Sequence, residues 1–327
     1  MRKIPVVIIA GFLGSGKTTL INHLLSSAKG TRIGVIVNDF GSVSIDSILV
    51  SQQADELVEL ASGCICCMMD GNSLEEPLKK LAHPDSNLDA IIIEASGLAE
   101  PREITHKVHS AKNPFSTYGG LVYIIDAVNF PSLYADHKSQ ISLSISTADL
   151  IAVNKSDLVP NTEQIDTICK EFAPNTPIVR ISHGKLNPKL LFDVRKNINK
   201  QLPLINSESN SHTAHVHHGF SSYTFESTRP LDPKSFTNFI NALPPAIYRA
   251  KGIIYFGLKG LEQKYTFQKV GSFKDISPSE WRESETPSTK LVFIGTGFDK
   301  TKLEQNLSAI IDSEPNHLTP ENTIRLN

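Results

Sequence analysis

Three stretches of this chain have residue types and spacings that could do chemistry. The first is Gly11-Phe12-Leu13-Gly14-Ser15-Gly16-Lys17-Thr18-Thr19, with the spacing G-x-x-x-x-G-K-[ST]. Glycines at these positions let backbone N–H groups curl around phosphates, and a following helix adds the positive end of its dipole. Gly11, Gly14, Ser15, Gly16, Lys17, Thr18 and Thr19 are therefore candidate nucleotide ligands. Lys17 would reach the β- and γ-phosphates and Thr18 would hold Mg²⁺. The second stretch is Asn154-Lys155-Ser156-Asp157. A carboxylate at Asp157 can accept both the N1–H and the exocyclic amine of guanine, a donor pair that adenine lacks. Asn154 would bond the ring edge and the Lys155 stem would cover the base face. The third is Cys64-Ile65-Cys66-Cys67. Thiolates this close suit a soft metal such as Zn²⁺, and three sulfurs instead of four suit holding and release better than permanent structural support. Packing in the core and a redox switch are the other uses for such cysteines.

Further candidates surround these. Glu94-Ala95-Ser96-Gly97 offers a carboxylate for Mg²⁺, directly or through water, and a glycine N–H for the γ-phosphate. A capping carboxylate at a strand end is the plainer role. Asp39 and Asp46 could report the γ-phosphate from a polar loop, or be solvated loop acids. With Lys17, Glu94 and Asp46 make the candidate catalytic set. His215, His217 and His218 could give a weak accessory metal site or simply be solvated. Cys169, alone in a helical pattern, reads as core. Ser182-His183 could bring a backbone N–H to the base or be an ordinary loop.

These residues need a frame that brings them together. The apolar runs Ile4–Ala10, Ile33–Val37, Asp89–Ile93, Leu121–Ile125 and Leu150–Val153 read as buried strands. Most end at a polar residue: Asn38, Glu94, Asp126 and Asn154. In an open parallel sheet the carboxyl ends of the strands share one edge, and ligands bind there. A short strand is expected at Leu57–Leu60 and a helix from Asn72 or Ser73 through Leu81. Beyond Asn154, a helix over Thr162–Phe172, a strand over Pro177–Ile181 and a helix near Leu190–Asn199 complete the unit. The expected fold is α/β, a P-loop NTPase with a doubly wound, mostly parallel sheet over residues 1–205. A polar, His-containing linker over residues 206–219 follows. Residues 220–327 form a smaller α+β domain of strand, helix (Pro233–Leu243), strands (Ile247–Leu258, Lys264–Val270, Leu291–Gly295) and helix (Asp299–Ile311).

The chain has 327 residues, enough for two domains, with 32 Lys+Arg against 34 Asp+Glu and a net charge of -2. That balance argues against nucleic acid or an anionic membrane as partner. No apolar run approaches a membrane span, and the first one leads into the glycine loop as a strand, so a soluble, cytoplasmic protein with reduced thiols is expected. No internal repeat is visible.

The glycine loop, Gly63-Cys64-Ile65-Cys66-Cys67, Glu94-x-x-Gly97 with Pro101, Asn154-Lys155-Ser156-Asp157, the His-bearing linker and Tyr248-Arg249-Ala250-Lys251-Gly252 occur in this order. Together they resemble the CobW-type metallochaperone GTPases, including the YjiA-like and zinc-transferase members, across nearly the whole chain. The resemblance implies a P-loop GTPase domain with a CobW C-terminal domain. Its GTP state would bind metal, zinc or cobalt, and hydrolysis would accompany delivery to a client metalloprotein. Two departures stand out. Asn38-Asp39-Phe40-Gly41-Ser42 replaces the family's Asn-Glu-Phe-Gly-Glu, which removes support for an accessory carboxylate site, and the His tract is short. The cofactors implied are GTP, Mg²⁺ and Zn²⁺ or Co²⁺, and homodimerisation is left open. Turnover should be slow, because no arginine finger or activating glutamine is identifiable. Arg249 and Lys251 could reach the GTPase domain or a client, or form a structural salt link. The other functional classes are a P-loop kinase of a small molecule, a metal-storage protein in which nucleotide only stabilises the fold, and nickel delivery to a hydrogenase or urease, which the Cys motif and second domain fit less well.

Overall fold

The computed structural model describes residues 3–37, 56–59, 74–97, 100–111, 113–193, 220–258, 263–281 and 285–312. The chain divides into two compact units. The first is built on a seven-stranded sheet in the order β3-β2-β4-β1-β5-β6-β7. Its strands are β1 (Ile4–Gly11), β2 (Ile33–Val37), β3 (Glu56–Glu59), β4 (Ala90–Glu94), β5 (Ser116–Asp126), β6 (Leu150–Asn154) and β7 (Ile178–Arg180). All its pairings are parallel. The reason lies in composition: every residue of β1, β2, β4 and β6 is buried. Runs of Ile and Val without polar alternation fit only a sheet covered on both faces. Each fully buried aliphatic side chain contributes roughly 1.5–3 kcal/mol relative to exposure.

The helices of this unit are α1 (Lys17–Ser27), α2 (Glu75–Leu81), α3 (Pro101–Ser110), α4 (Phe130–Asp136), α5 (Lys138–Thr147) and α6 (Glu163–Phe172). The expected strands and the helix over 162–172 are present, with ends shifted by a residue or two, and β5 begins earlier than expected, at Ser116. Three helices were not anticipated. α3 starts on Pro101 at its first turn, where a missing N–H costs nothing, and buries only Pro101 and Ile104. α5 is serine-rich, and its buried residues are Ile141, Ser144 and Ile145. Such narrow faces give little periodic signal. The helix expected from Asn72 or Ser73 begins at Glu75 with Leu74 at its cap; Asn72 and Ser73 lie outside the described residues. Where a helix near Leu190–Asn199 was expected, the described part holds a short 3₁₀ turn over Pro188–Leu190.

The second unit is a five-stranded antiparallel sheet ordered β11-β10-β9-β12-β8. It contains β8 (Phe220–Ser227), α7 (Pro233–Asn241), β9 (Arg249–Ile254), β10 (Gln263–Val270), β11 (Phe273–Glu280), β12 (Thr289–Thr296) and α8 (Lys300–Ala309). Phe225, Phe267, Leu291 and Phe293 of the strands form one core with Phe236 and Ile240 of α7 and Leu303 and Leu307 of α8. Strand β11 was missed because Pro278 breaks its pattern. Its place at the sheet edge explains the tolerance, since an edge strand has one side without ladder partners. Among the described residues, no helix is long and apolar enough to cross a membrane.

Candidate functional site

The parallel sheet brings the ends of β1, β4, β5 and β6 to one edge. Strand β1 lies between β4 and β5, and the glycine loop leaves its end. Lys17 and Ser15 are buried, Thr18 is half-buried and Thr19 exposed. Lys17 Nζ donates to the carbonyls of Gly11 at 2.9 Å and Phe12 at 3.2 Å, so the ammonium is held against its own loop. Thr18, in the first turn of α1, donates through Oγ1 to Glu94 Oε1 at 3.1 Å. That contact ties the helix start to the end of β4, where Glu94 is 4% exposed and in register with both Ile9 and Val37. A hydroxyl and a carboxylate side by side are hard oxygen donors of the kind Mg²⁺ takes. Gly97 lies against the loop tip: a Cβ there would stand 2.8 Å from the Leu13 nitrogen, so only glycine allows the 94–97 segment this approach.

The Asn154–Asp157 motif meets the same loop from β6. Asn154 is 3% exposed. Its Nδ2 donates to the Ser15 carbonyl at 2.9 Å, and its Oδ1 accepts from the Gly184 N–H at 3.2 Å. The amide thus braces the glycine loop against the loop after β7. A purine edge would be left the second Nδ2 hydrogen and the second Oδ1 lone pair. The brace also explains Gly16, whose φ is 101° and whose added Cβ would fall 2.3 Å from Asn154 Nδ2. Lys155 follows in a left-handed conformation with φ 58°. Its Nζ donates to the Gly14 carbonyl at 3.1 Å and to Asp126 Oδ2 at 2.7 Å. Asp157 lies on the 3₁₀ turn Ser156–Leu158 and is exposed. Ser156 is tied to the Ile181 carbonyl through Oγ at 3.1 Å. Ser182 and His183 follow at that point, with His183 at φ 49°.

Two participants escaped the sequence reading. Gly184 closes the brace on Asn154, and no local signal sets it apart from any loop glycine. Asp126 was seen only as a polar strand end. It is 5% exposed. Burial alone would push its carboxyl up, but hydrogen bonds from Lys155, from Asn129 and from the Val128 N–H outweigh that and hold it below its ordinary value. The acid-x-x-Asn spacing of Asp126 and Asn129 is the signal that could have found it.

Asp39, Asp46, Cys64, Cys66, Cys67, His215, His217 and His218 lie outside the described residues. Among the described residues no group of three or more His, Cys, Asp or Glu could hold a metal ion. Cys169 is buried in α6 as core, and burial with Asp166 nearby pushes its thiol up to about 12. In the second unit, Arg249 is buried and Lys251 half-buried on β9.

Residues 5–180 match the family described as CobW/HypB/UreG, nucleotide-binding domain, and residues 220–311 match the cobalamin synthesis protein cobW C-terminal domain. The zinc chaperone YjiA of Escherichia coli (strain K12) is 28% identical to this chain, covering 90% of it and 95% of its own length. The zinc chaperone CobW of a Sinorhizobium species is 27% identical over 94% of this chain and 98% of its own. The zinc-regulated GTPase metalloprotein activator 1 of Dictyostelium discoideum is 28% identical over 77% of this chain and 62% of its own.

Proposed function

The chain belongs to the CobW/HypB/UreG family of nucleotide-binding domains, here followed by a CobW C-terminal domain, and from that premise we propose that it is a GTP-dependent zinc metallochaperone. The observation that carries the nucleotide half is the hydrogen bond from Asn154 Nδ2 to the Ser15 carbonyl, 139 residues away in sequence. It holds the guanine-type motif directly on the glycine loop. In the bound state Asp157 accepts from the guanine edge and Lys17 meets the phosphates. Thr18 and Glu94 hold Mg²⁺, which supplies charge neutralisation at the terminal phosphates. Gly97 offers its N–H to the γ-phosphate. Hydrolysis to GDP and phosphate is slow, since no arginine finger or activating glutamine is identifiable from the sequence.

The metal half is supported by the cysteine motif, whose thiolates suit zinc, and by relatives named as zinc chaperones. Cys64, Cys66 and Cys67 hold the cargo while the γ-phosphate is present, and hydrolysis times its release to a client metalloprotein. Linkage makes this testable: if GTP raises zinc affinity by some factor, zinc raises GTP affinity by the same factor. Zinc affinity measured by competition with a chromophoric chelator is expected to be at least about fivefold higher with a non-hydrolysable GTP analogue than with GDP, the lower end of ordinary coupling. Equal affinities in the two states would sink the coupling.

A further inference from the structure

Asp126 takes part in none of the contacts assigned above to guanine or phosphate, yet both of its oxygens are engaged. Oδ1 accepts from the backbone N–H groups of Val128 at 3.0 Å and Asn129 at 3.3 Å. Oδ2 accepts from Asn129 Nδ2 at 2.7 Å and Lys155 Nζ at 2.7 Å. The carboxylate is therefore a fixed anion at the end of β5. It is paired in register with Asn154 on β6, and the Ala127 N–H donates to the Asn154 carbonyl at 2.9 Å.

The partner of that anion is the flexible member of the guanine motif. The Lys155 side chain is 33% exposed, and its Nζ continues from Asp126 to the Gly14 carbonyl at 3.1 Å. One ammonium thus joins the β5 acid to the tip of the glycine loop. A lysine stem samples many rotamers in water, and ordering it only when ligand arrives would weaken binding. A buried carboxylate with its remaining lone pairs filled by rigid donors orders that stem in advance. Charge-assisted hydrogen bonds are about twice as strong as neutral ones, which makes the acid, and not its neutral amide, the suitable anchor.

We propose that Asp126 is a positioning residue for guanine-nucleotide binding, acting through Lys155 to hold the base-covering stem and the Gly14 carbonyl in one arrangement. The inference rests on the reading of Asn154–Asp157 as a guanine site and adds a residue outside that motif to it.

A double-mutant cycle tests it, with GTP and ATP affinities measured by calorimetry on the full chain and folding checked by circular dichroism. Asp126→Asn keeps an oxygen for the two backbone donors but sets a neutral amide against Nζ, and it is expected to weaken GTP binding about tenfold. In a Lys155→Met background, which keeps a stem without the ammonium, the same substitution is expected to cost less than about twofold, because coupled residues are not additive. Losses that add in full would overturn the proposal, since a merely structural role for Asp126 does not need Lys155. Should Asp126→Asn fail to fold, Asp126→Glu, which retains the anion but displaces it, enters the same cycle with the same criterion. The wild-type chain is measured first. If it binds ATP as tightly as GTP, the guanine reading itself falls, an outcome separate from an additive cycle in a chain that prefers GTP.

Discussion

At the scale of single residues, the four cysteines divide into two kinds. Cys169 is wholly buried in α6, with its thiol pushed up to about 12, and behaves as an apolar core group. Cys64, Cys66 and Cys67 are three thiols within four positions, a density that core packing does not call for and soft-metal binding does. Cys66→Ala combined with Cys67→Ala is therefore expected to lower zinc affinity by at least about a hundredfold, since loss of two thiolates leaves a single sulfur. In zinc-free buffer, GTP affinity should stay within about twofold of the parent chain, because no thiol is needed by the glycine loop or the guanine motif. Metal stoichiometry by mass spectrometry, beside a nucleotide titration, checks both parts. Unchanged zinc content would remove these cysteines from the site.

At the scale of elements, the two sheets meet different demands. The parallel sheet places strand ends, and its edge carries Glu94, Asp126 and Asn154 from β4, β5 and β6 beside the glycine loop of β1. The antiparallel sheet is held by the faces of α7 and α8. Phe236 of α7 is fully buried, its ring 5.8 Å from that of Phe256 and 5.6 Å from that of Phe267, both edge-on. Asp232 caps that helix by accepting from the Ser235 N–H at 2.7 Å, and Pro233 opens it. Phe236→Ala should destabilise this unit by about 3–5 kcal/mol through lost burial and the cavity left behind. Thermal or urea unfolding followed by circular dichroism checks it. A loss below about 1 kcal/mol would mean that α7 contributes little to the core.

For the whole molecule, nucleotide and fold are linked by mass action. A ligand that binds only the folded state at a hundred times its dissociation constant adds about 2.7 kcal/mol of stability. GTP with Mg²⁺ is thus expected to raise the melting temperature of the chain, and ATP at the same concentration to raise it much less. Differential scanning fluorimetry reads both. An equal rise with ATP would favour the kinase-type reading over a guanine-specific switch. The residues assigned above to the nucleotide all come from the first unit, while the second matches the cobalamin synthesis protein cobW C-terminal domain over residues 220–311.

Much of this was legible in the sequence, for a physical reason. The apolar strands announce a sheet buried on both faces, because nothing else hides runs such as Val6–Ile9. The glycine and lysine spacing announces a phosphate loop, because few other residues can follow that backbone. The elements with narrow faces, α3 and α5, and the edge strand β11 were missed, because a helix burying two or three residues, or a strand carrying Pro278, leaves no periodic trace. What only the tertiary structure decided is how distant side chains share one edge. Asn154 does not simply wait for a base but braces Ser15 against Gly184, Gly16 is glycine because that amide fills the space, and Asp126 reaches Lys155 across two strands. Such pairings arise from the register of β5 on β6 and the place of β1 between β4 and β5. Register and strand order are properties of the folded sheet, so no local run of residues could have stated them.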